Sequence, residues 1–155
     1  MEDNNEIFMI ANRIQTPDGT ILWSRFGHDY VEYQDANGEF YILDGGSEDI
    51  TYRTSVNNEK AKPMQVYSDA PFEEIRKVML RGTFDEDGKR IWVPLYKLNN
   101  SHLQSILDYN KDLKIISRYD KFIEMEIEYR ESNCIFIPNN EYTQEDGIDN
   151  IIPSK

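Results

Sequence analysis

The chain has 155 residues, of which 17 are basic and 29 are acidic, so its formal net charge is −12. This length suits one domain that buries roughly 68–70% of its unfolded surface without disulfides or a structural metal. A hydrophobic content of 39% excludes a wholly disordered chain, and no apolar run is long enough to cross a membrane. The acid excess argues against direct binding to nucleic acid phosphates.

The cysteine content and the first residues indicate a compartment. Cys134 is the only cysteine, which excludes an internal disulfide framework, and its apolar neighbours predict a buried thiol rather than a nucleophile. Residues 1–5 include two acids where a signal peptide would be basic. A reducing cytoplasm is therefore the expected location. The phosphate-binding, dinucleotide and zinc-protease motifs are all missing, so no cofactor and no metal are expected.

The charge is concentrated in the N-terminal third. Residues 1–50 contain eleven acidic and two basic side chains, a formal charge of −9. One interpretation is a solvated acidic surface that keeps the protein soluble. The other is an acidic face that docks on a basic partner.

The same region has the pattern of an antiparallel β-meander. Its β-rich runs lie at residues 6–14, 20–25, 30–33 and 40–43. Turn sequences containing Gly19 and Gly38 separate them, and no stretch is long enough for a β-α-β crossover. A further short strand is predicted at residues 50–53 and a mobile loop at residues 57–62.

The second half of the chain is predicted to be largely helical, at residues 71–81, 101–109 and 113–130. The longest of these helices has a wide apolar face, which predicts burial of Ile116, Tyr119, Ile123 and Ile127. Within it, Glu126 and Arg130 form an i,i+4 pair worth a few tenths of a kcal/mol. Between the first two helices, Asp87 and Gly88 predict a hairpin whose second strand contains Trp92.

The sequence after residue 133 changes in character. Residues 134–155 combine acidic and amide side chains with isolated isoleucines, which is typical of a flexible acidic tail. Alternatively, this segment folds onto a partner. The predicted architecture is therefore a single α+β domain over residues 1–133, in which about three helices cover an antiparallel sheet, followed by this tail.

Polar residues gather at one end of the predicted sheet. His28 and Asp29 precede the third strand, whereas Asp44, Gly45 and Gly46 follow the fourth. A hairpin places the start of one strand beside the end of the other, so these residues are expected at one edge. A histidine with two carboxylates could bind a divalent cation or act as a general base, and the second role makes His28, Asp29 and Asp44 the candidate catalytic residues of a small hydrolase. The alternative is that they make turn hydrogen bonds.

The same edge is also a candidate ligand site. Adjacent glycines expose backbone N–H groups that could approach a phosphate, and arginines could bind it in a bidentate manner. Aromatic side chains could stack on a base, unless they pack in the core. The candidate ligand-binding residues are Arg25, His28, Asp29, Tyr30, Asp44, Gly45, Gly46, Arg53, Arg81, Trp92 and His102.

Several short motifs follow one another in a linked order. They are His28-Asp29-Tyr30-Val31, Asp44-Gly45-Gly46, Arg81-Gly82-Thr83-Phe84, Trp92-Val93-Pro94-Leu95 and Ser101-His102-Leu103. In this order they resemble a family of small tailed-bacteriophage proteins, over about residues 10–133. Family members often have Trp-Gly-Thr-Tyr-Gly where this chain has the five residues 81–85. The resemblance implies a phage accessory protein that acts in the cytoplasm of the infected bacterium.

The expected function is non-catalytic binding that disarms a host factor and counters host defence. Two forms stay open, an acidic inhibitor of a host protein and a sponge for a small nucleotide signal. The hydrolase is the alternative from a different class. No membrane partner is expected, and residues 113–130 offer a face for homo-oligomer formation.

Overall fold

A computed structural model describes residues 6–45, 53–55 and 58–154. The strands are β1 (Met9–Gln15), β2 (Ile21–Ser24), β3 (Tyr30–Gln34), β4 (Phe40–Asp44), β5 (Arg53–Ser55), β6 (Lys62–Pro63), β7 (Val66–Tyr67), β8 (Leu80–Phe84), β9 (Arg90–Pro94) and β10 (Ile151–Ile152). The helices are α1 (Phe72–Val78), α2 (Asn100–Asp112) and α3 (Asp120–Ser132). The predicted α+β class, with antiparallel N-terminal strands and three helices, is confirmed.

The chain divides into two compact units. The first comprises Met1–Ala70 with Asp149–Lys155, and the second comprises Pro71–Ile148. The predicted boundary after residue 133 differs from this division. Residues on the C-terminal side of that boundary pack with both units, because β10 pairs with β2 while the Tyr142 carbonyl accepts a hydrogen bond from the Glu86 N–H.

The first unit contains two antiparallel sheets. One has the strand order β10-β2-β1-β6, with β7 also paired to β1, and the other has the order β3-β4-β5. Alternate residues point inward, so the strands supply one apolar cluster. Its members are Ile14, Leu22, Val31, Tyr41, Leu43 and Ala61. The four predicted strands of the meander are therefore present, although they belong to two sheets.

The region after β4 is partly outside the described residues. The predicted strand at residues 50–53 overlaps them only at Arg53, which begins β5. The mobile loop predicted at residues 57–62 includes regular structure where the structure describes it. Asn58–Lys60 forms a 3₁₀ helix, and Lys62 begins β6, which pairs with β1.

The second unit is organised around a buried ion cluster. Both Glu126 oxygens accept hydrogen bonds from Arg76, from Nε at 2.7 Å and Nη2 at 2.8 Å, and Arg130 Nε donates to Oε2 at 2.7 Å. Glu126 is fully buried. Arg130 also donates to Asn100 Oδ1 and to the Leu95 carbonyl. The predicted i,i+4 pair of Glu126 and Arg130 is thus part of a buried network, because Arg76 of α1 also binds Glu126.

The long helix predicted at residues 113–130 is wrong in its first part. α2 extends to Asp112, and α3 starts only at Asp120. Between them Lys114 has φ 57°, and the Ile115 N–H donates to the Asn110 carbonyl, which is a Schellman-type ending. Ile116 lies in this connection and is 98% exposed, contrary to its predicted burial.

The remaining part of that prediction holds to different degrees. Ile123 is fully buried in α3, whereas Tyr119 and Ile127 are only half-buried. α3 ends like α2, since Cys134 has φ 57° and the Ile135 N–H donates to the Arg130 carbonyl. This left-handed position leaves the Cys134 side chain exposed, so the predicted buried thiol is wrong.

Candidate functional site

The polar edge predicted in the first unit does form. Tyr30 pairs with Asp44, and the Gly45 N–H donates to the Asp29 carbonyl at 2.8 Å. His28 immediately precedes this pair. Gly46 lies outside the described residues, and only the backbone of Arg53 is described.

The Asp29 carboxylate is buried and has structural partners. Its Oδ2 accepts hydrogen bonds from Arg25 N at 2.8 Å, from Arg25 Nε at 3.0 Å and from Asn150 Nδ2 at 2.8 Å. The Asn150 carbonyl also accepts the Trp23 N–H, and Asn150 Nδ2 donates to the Trp23 carbonyl. Asp29 and Arg25 therefore fasten the turn after β2 to the C-terminal segment, and this carboxylate does not hold a histidine.

Gly45 is needed because the chain approaches it closely. A Cβ placed at Gly45 would lie 2.6 Å from Ser24 Oγ and 2.9 Å from the Phe26 carbonyl oxygen. Its N–H already donates to Asp29, as given above. This part of the predicted phosphate cradle is thus engaged within the fold, and the oxygen atoms around it would repel an anion.

His28 is exposed and has φ 73°, in the left-handed region that histidine enters more readily than most residues. It occupies a turn position. In the described parts of the chain, no group of three or more His, Cys, Asp or Glu side chains is arranged to hold a metal ion. The catalytic assignment of His28, Asp29 and Asp44 stays a prediction.

The outer face of the β3–β4 hairpin combines aromatic and acidic side chains. Side chains of this face are Tyr30, Glu32, Gln34, Phe40, Ile42 and Asp44, which we call the acidic face. Because residues alternate along a strand, the intervening side chains Val31, Tyr41 and Leu43 are buried. Tyr30 is 49% exposed and Phe40 is 45% exposed, so the acidic face presents two large aromatic surfaces beside carboxylates.

Hydrogen bonds shift the pKa values of two groups at and near this hairpin. The Tyr30 hydroxyl donates to Glu32 at 2.7 Å, and this bond raises the pKa of Tyr30. In the neighbouring turn, hydrogen bonds from Thr16 and then Tyr33 hold the pKa of Asp18 well below its usual range. The first unit as a whole has 14 acidic and 6 basic residues, a formal charge of −8. The hairpin therefore belongs to a unit with a net negative formal charge.

Three of the predicted site residues, Arg81, Trp92 and His102, belong to the second unit. His102 Nδ1 is hydrogen-bonded to the Tyr142 hydroxyl at 2.8 Å, and that hydroxyl accepts the Asn99 N–H at 3.0 Å. Burial first, and then the charge of Arg81, lower the pKa of His102. The imidazole therefore favours its neutral form.

A shallow polar groove of about 490 Å³ adjoins His102. Its lining residues are Asn99, Ser101, His102, Ser105, Asn139, Asn140, Glu141 and Tyr142. The lining is mainly neutral amide and hydroxyl groups. Its interactions fasten residues 139–142 to the start of α2, which is a structural role for His102.

The outer face of the β8–β9 hairpin contains a stacked arginine. The Arg90 guanidinium lies 5.1 Å from the ring centroid of Phe84 and 5.8 Å from that of Trp92. Phe84 is 56% exposed. Sequence reasoning found Trp92 but missed Arg90 and Phe84. Strand alternation could have found them, since Phe84 pairs with Arg90 beside the predicted turn.

Comparison with known proteins gave no relatives for this chain: no family model, curated protein or solved structure matches it. Within the described residues, no helix is both long and apolar enough to cross a membrane.

Proposed function

We propose that this protein is a bacteriophage accessory protein that binds a basic host protein through its acidic face and thereby counters host defence in the bacterial cytoplasm. The observation that carries the proposal is the pair of half-exposed rings, Tyr30 and Phe40, beside the carboxylates of Glu32 and Asp44. Protein interfaces are enriched in such aromatic anchors surrounded by polar groups. The phage origin rests on the motif resemblance alone.

Charge complementarity identifies the kind of partner. A first unit with a formal charge of −8 attracts a cationic surface at long range and raises the rate of encounter. The same charge repels nucleotide phosphates. An acidic inhibitor therefore has more support than a nucleotide sponge, the other form expected from the sequence.

The hydrolase alternative has less support. It needs Asp29 or Asp44 to orient His28, yet the Asp29 carboxylate already accepts three hydrogen bonds from Arg25 and Asn150. His28→Ala distinguishes the alternatives, because it would abolish catalysis but leave binding through the acidic face intact.

Site-specific photocrosslinking tests the proposal. A photoreactive phenylalanine analogue replaces Phe40 in the full chain, which is produced in infected cells and then irradiated. We expect one prominent adduct with a basic host protein. The matched control carries the analogue at Tyr109, an exposed aromatic side chain on α2.

Two further variants determine what the adduct means. Glu32→Lys combined with Asp44→Lys should abolish the adduct at position 40, since both charges that attract the partner are reversed. An adduct that forms equally at positions 40 and 109, or that survives the charge reversal, would contradict docking at the acidic face.

A further inference from the structure

The outer edge of β8 carries backbone groups that point away from its partner strand. The Asp85 N–H donates to the Lys89 carbonyl, which closes the hairpin. Because hydrogen-bonded pairs alternate along an antiparallel ladder, Gly82 and Phe84 direct their N–H and C=O groups away from β9. No backbone hydrogen bond to these outward groups occurs among the described residues.

The opposite edge of the hairpin is closed by the chain itself. The Trp92 carbonyl accepts a hydrogen bond from the Ile148 N–H at 2.8 Å. The Glu86 N–H donates to the Tyr142 carbonyl at 2.8 Å at the adjoining turn. The β8 edge is therefore the one on which an added strand could pair, and such edges are a recurrent mode of peptide recognition.

Arg90 reaches across the hairpin to this edge. A Cβ at Gly82 would lie 2.7 Å from Arg90 Nη2 and 3.0 Å from Nε, so the guanidinium occupies the space above the glycine. Phe84 and Trp92 hold it by their ring faces. Stacking of this kind keeps the planar donor fork oriented for a carboxylate.

Arg90 lacks an ion-pair partner among the described residues, whereas Arg81 interacts with the charge of Asp120 at longer range. No described carboxylate lies within ion-pair distance of Arg90 or Arg81. Arg81 belongs to the opposite side of β8, because side chains alternate. A strand that carries an acidic side chain beside Arg90 would supply this cation with a counter-charge.

We infer that the β8 edge and Arg90 form a second docking site, which adds an extended segment of a partner protein as a strand and binds one of its Asp or Glu side chains. Gly82 and Phe84 would donate and accept the main-chain hydrogen bonds, and the Arg90 guanidinium would bind the carboxylate. This site is independent of the acidic face, because it uses other residues and the opposite charge.

The surrounding charge favours a carboxylate over a polyanion. The second unit has 15 acidic and 11 basic residues, a formal charge of −4, and Asp85, Glu86 and Asp87 follow β8 directly. These acids would repel a chain of phosphates. A single carboxylate in an otherwise neutral strand meets Arg90 without that penalty.

Titration of the full ¹⁵N-labelled protein with a synthetic peptide tests the site. The probe is a seven-residue peptide of alternating Thr and Val with a central Glu, and its control has Gln at that position. We expect the amide resonances of Gly82 and Phe84 to shift, with about tenfold weaker binding of the Gln peptide and weaker binding at high salt.

Variants of the protein separate charge from geometry. Arg90→Gln should reduce affinity for the Glu peptide to that for the Gln peptide, and Gly82→Ala should weaken binding by displacing the guanidinium. Arg90→Lys keeps the charge but loses the planar fork, so it should lie between. Dispersed amide spectra confirm that each variant is folded.

Three results would overturn the inference. One is equal affinity for the Glu and Gln peptides. Another is displacement of the Glu peptide by an equal concentration of inorganic phosphate, which would indicate a general anion site. The third is a dependence of the Gly82 and Phe84 shifts on protein concentration without peptide, together with a dimer in sedimentation, because a second copy would then cover the edge.

Discussion

The β3–β4 and β8–β9 hairpins have turns of the same type, but their outer faces carry side chains of opposite charge. In each, an aspartate (Asp35 or Asp85) accepts N–H bonds from residues two and four positions later. Each turn also contains a glycine with φ near 80°. The first pair beyond the turn is Gln34 with Phe40 in one hairpin and Phe84 with Arg90 in the other. The backbone therefore supplies a platform, and a few outward side chains decide which partner charge it meets.

The two units that contain these hairpins differ in one buried feature. β3 and β4 contribute Val31, Tyr41 and Leu43 to an apolar cluster. The unit that contains β8 and β9 also buries apolar side chains, including Ile91 and Val93, and it adds the buried Arg76–Glu126–Arg130 network. An apolar core loses stability in proportion to the atoms removed, whereas an ion cluster loses it when one charge is left uncompensated.

The largest effect is expected at the ion cluster. Glu126→Ala leaves two arginines buried without a counter-charge and should lower the free energy of unfolding by about 3–5 kcal/mol. Denaturant unfolding measures this change. Glu128→Ala, on the exposed side of the same helix, is the control and should change it little. Equal effects of both substitutions would mean that the network does not stabilise this unit.

A somewhat smaller loss is expected under the acidic face. Leu43 is fully buried, and Leu43→Ala should lower the free energy of unfolding by about 2–5 kcal/mol through lost transfer energy and a cavity. The adjacent Ile42 is on the outer face and half-buried, so Ile42→Ala should cost less. A larger loss of stability for Ile42→Ala than for Leu43→Ala would show that the inner and outer faces of β4 are assigned incorrectly.

The second unit should also show a pH dependence of stability that comes from His102. The folded state lowers the pKa of His102 below its ordinary value of 6.5, so the neutral imidazole is favoured by folding. The unfolding free energy should therefore fall as pH decreases below about 6.5 and be insensitive to this group above it. His102→Gln should remove that part of the slope between pH 7.5 and 5.5. If the slope of stability against pH is the same in His102→Gln, other groups cause the pH dependence.

The smallest effect is expected at the end of α2, and it is stabilising. Lys114 has φ 57°, a conformation in which glycine has no steric penalty. Lys114→Gly should raise the free energy of unfolding by about 0.5–1 kcal/mol, as seen in thermal melts. Lys111→Gly, inside the helix, should lower it by a similar amount. Destabilisation by both would show that the left-handed position is not strained.

Local patterns were sufficient to predict β1 to β4, the glycine turns and the hairpin ends that bring Asp29 and Gly45 together, but not the short strands β6, β7 and β10. The break between α2 and α3 was not predictable in this way, because the left-handed position that ends α2 is usually a glycine, whereas this chain has Lys114 there. The apolar residues after it continued the helical period without forming a helix.

The candidate sites show the same limit. The Arg76–Glu126 pair joins residues 50 positions apart, and the pattern of one helix carries no information on such a partner. The role of Gly82 depends on the side chain of Arg90 from the neighbouring strand. Strand alternation alone predicts which residues form the acidic face. The sequence pattern does not show, however, that Asp29 and Gly45 have structural partners.

Native mass spectrometry of the full protein purified from infected cells tests the central claim most directly. The wild-type chain should retain a basic host protein, and the variant that combines Glu32→Lys with Asp44→Lys should lose it. The variant that combines Glu86→Lys with Asp87→Lys, with the same change of charge on the other hairpin, should keep it. A bound nucleotide in place of a protein, or a partner that all three chains retain, would contradict binding through the acidic face.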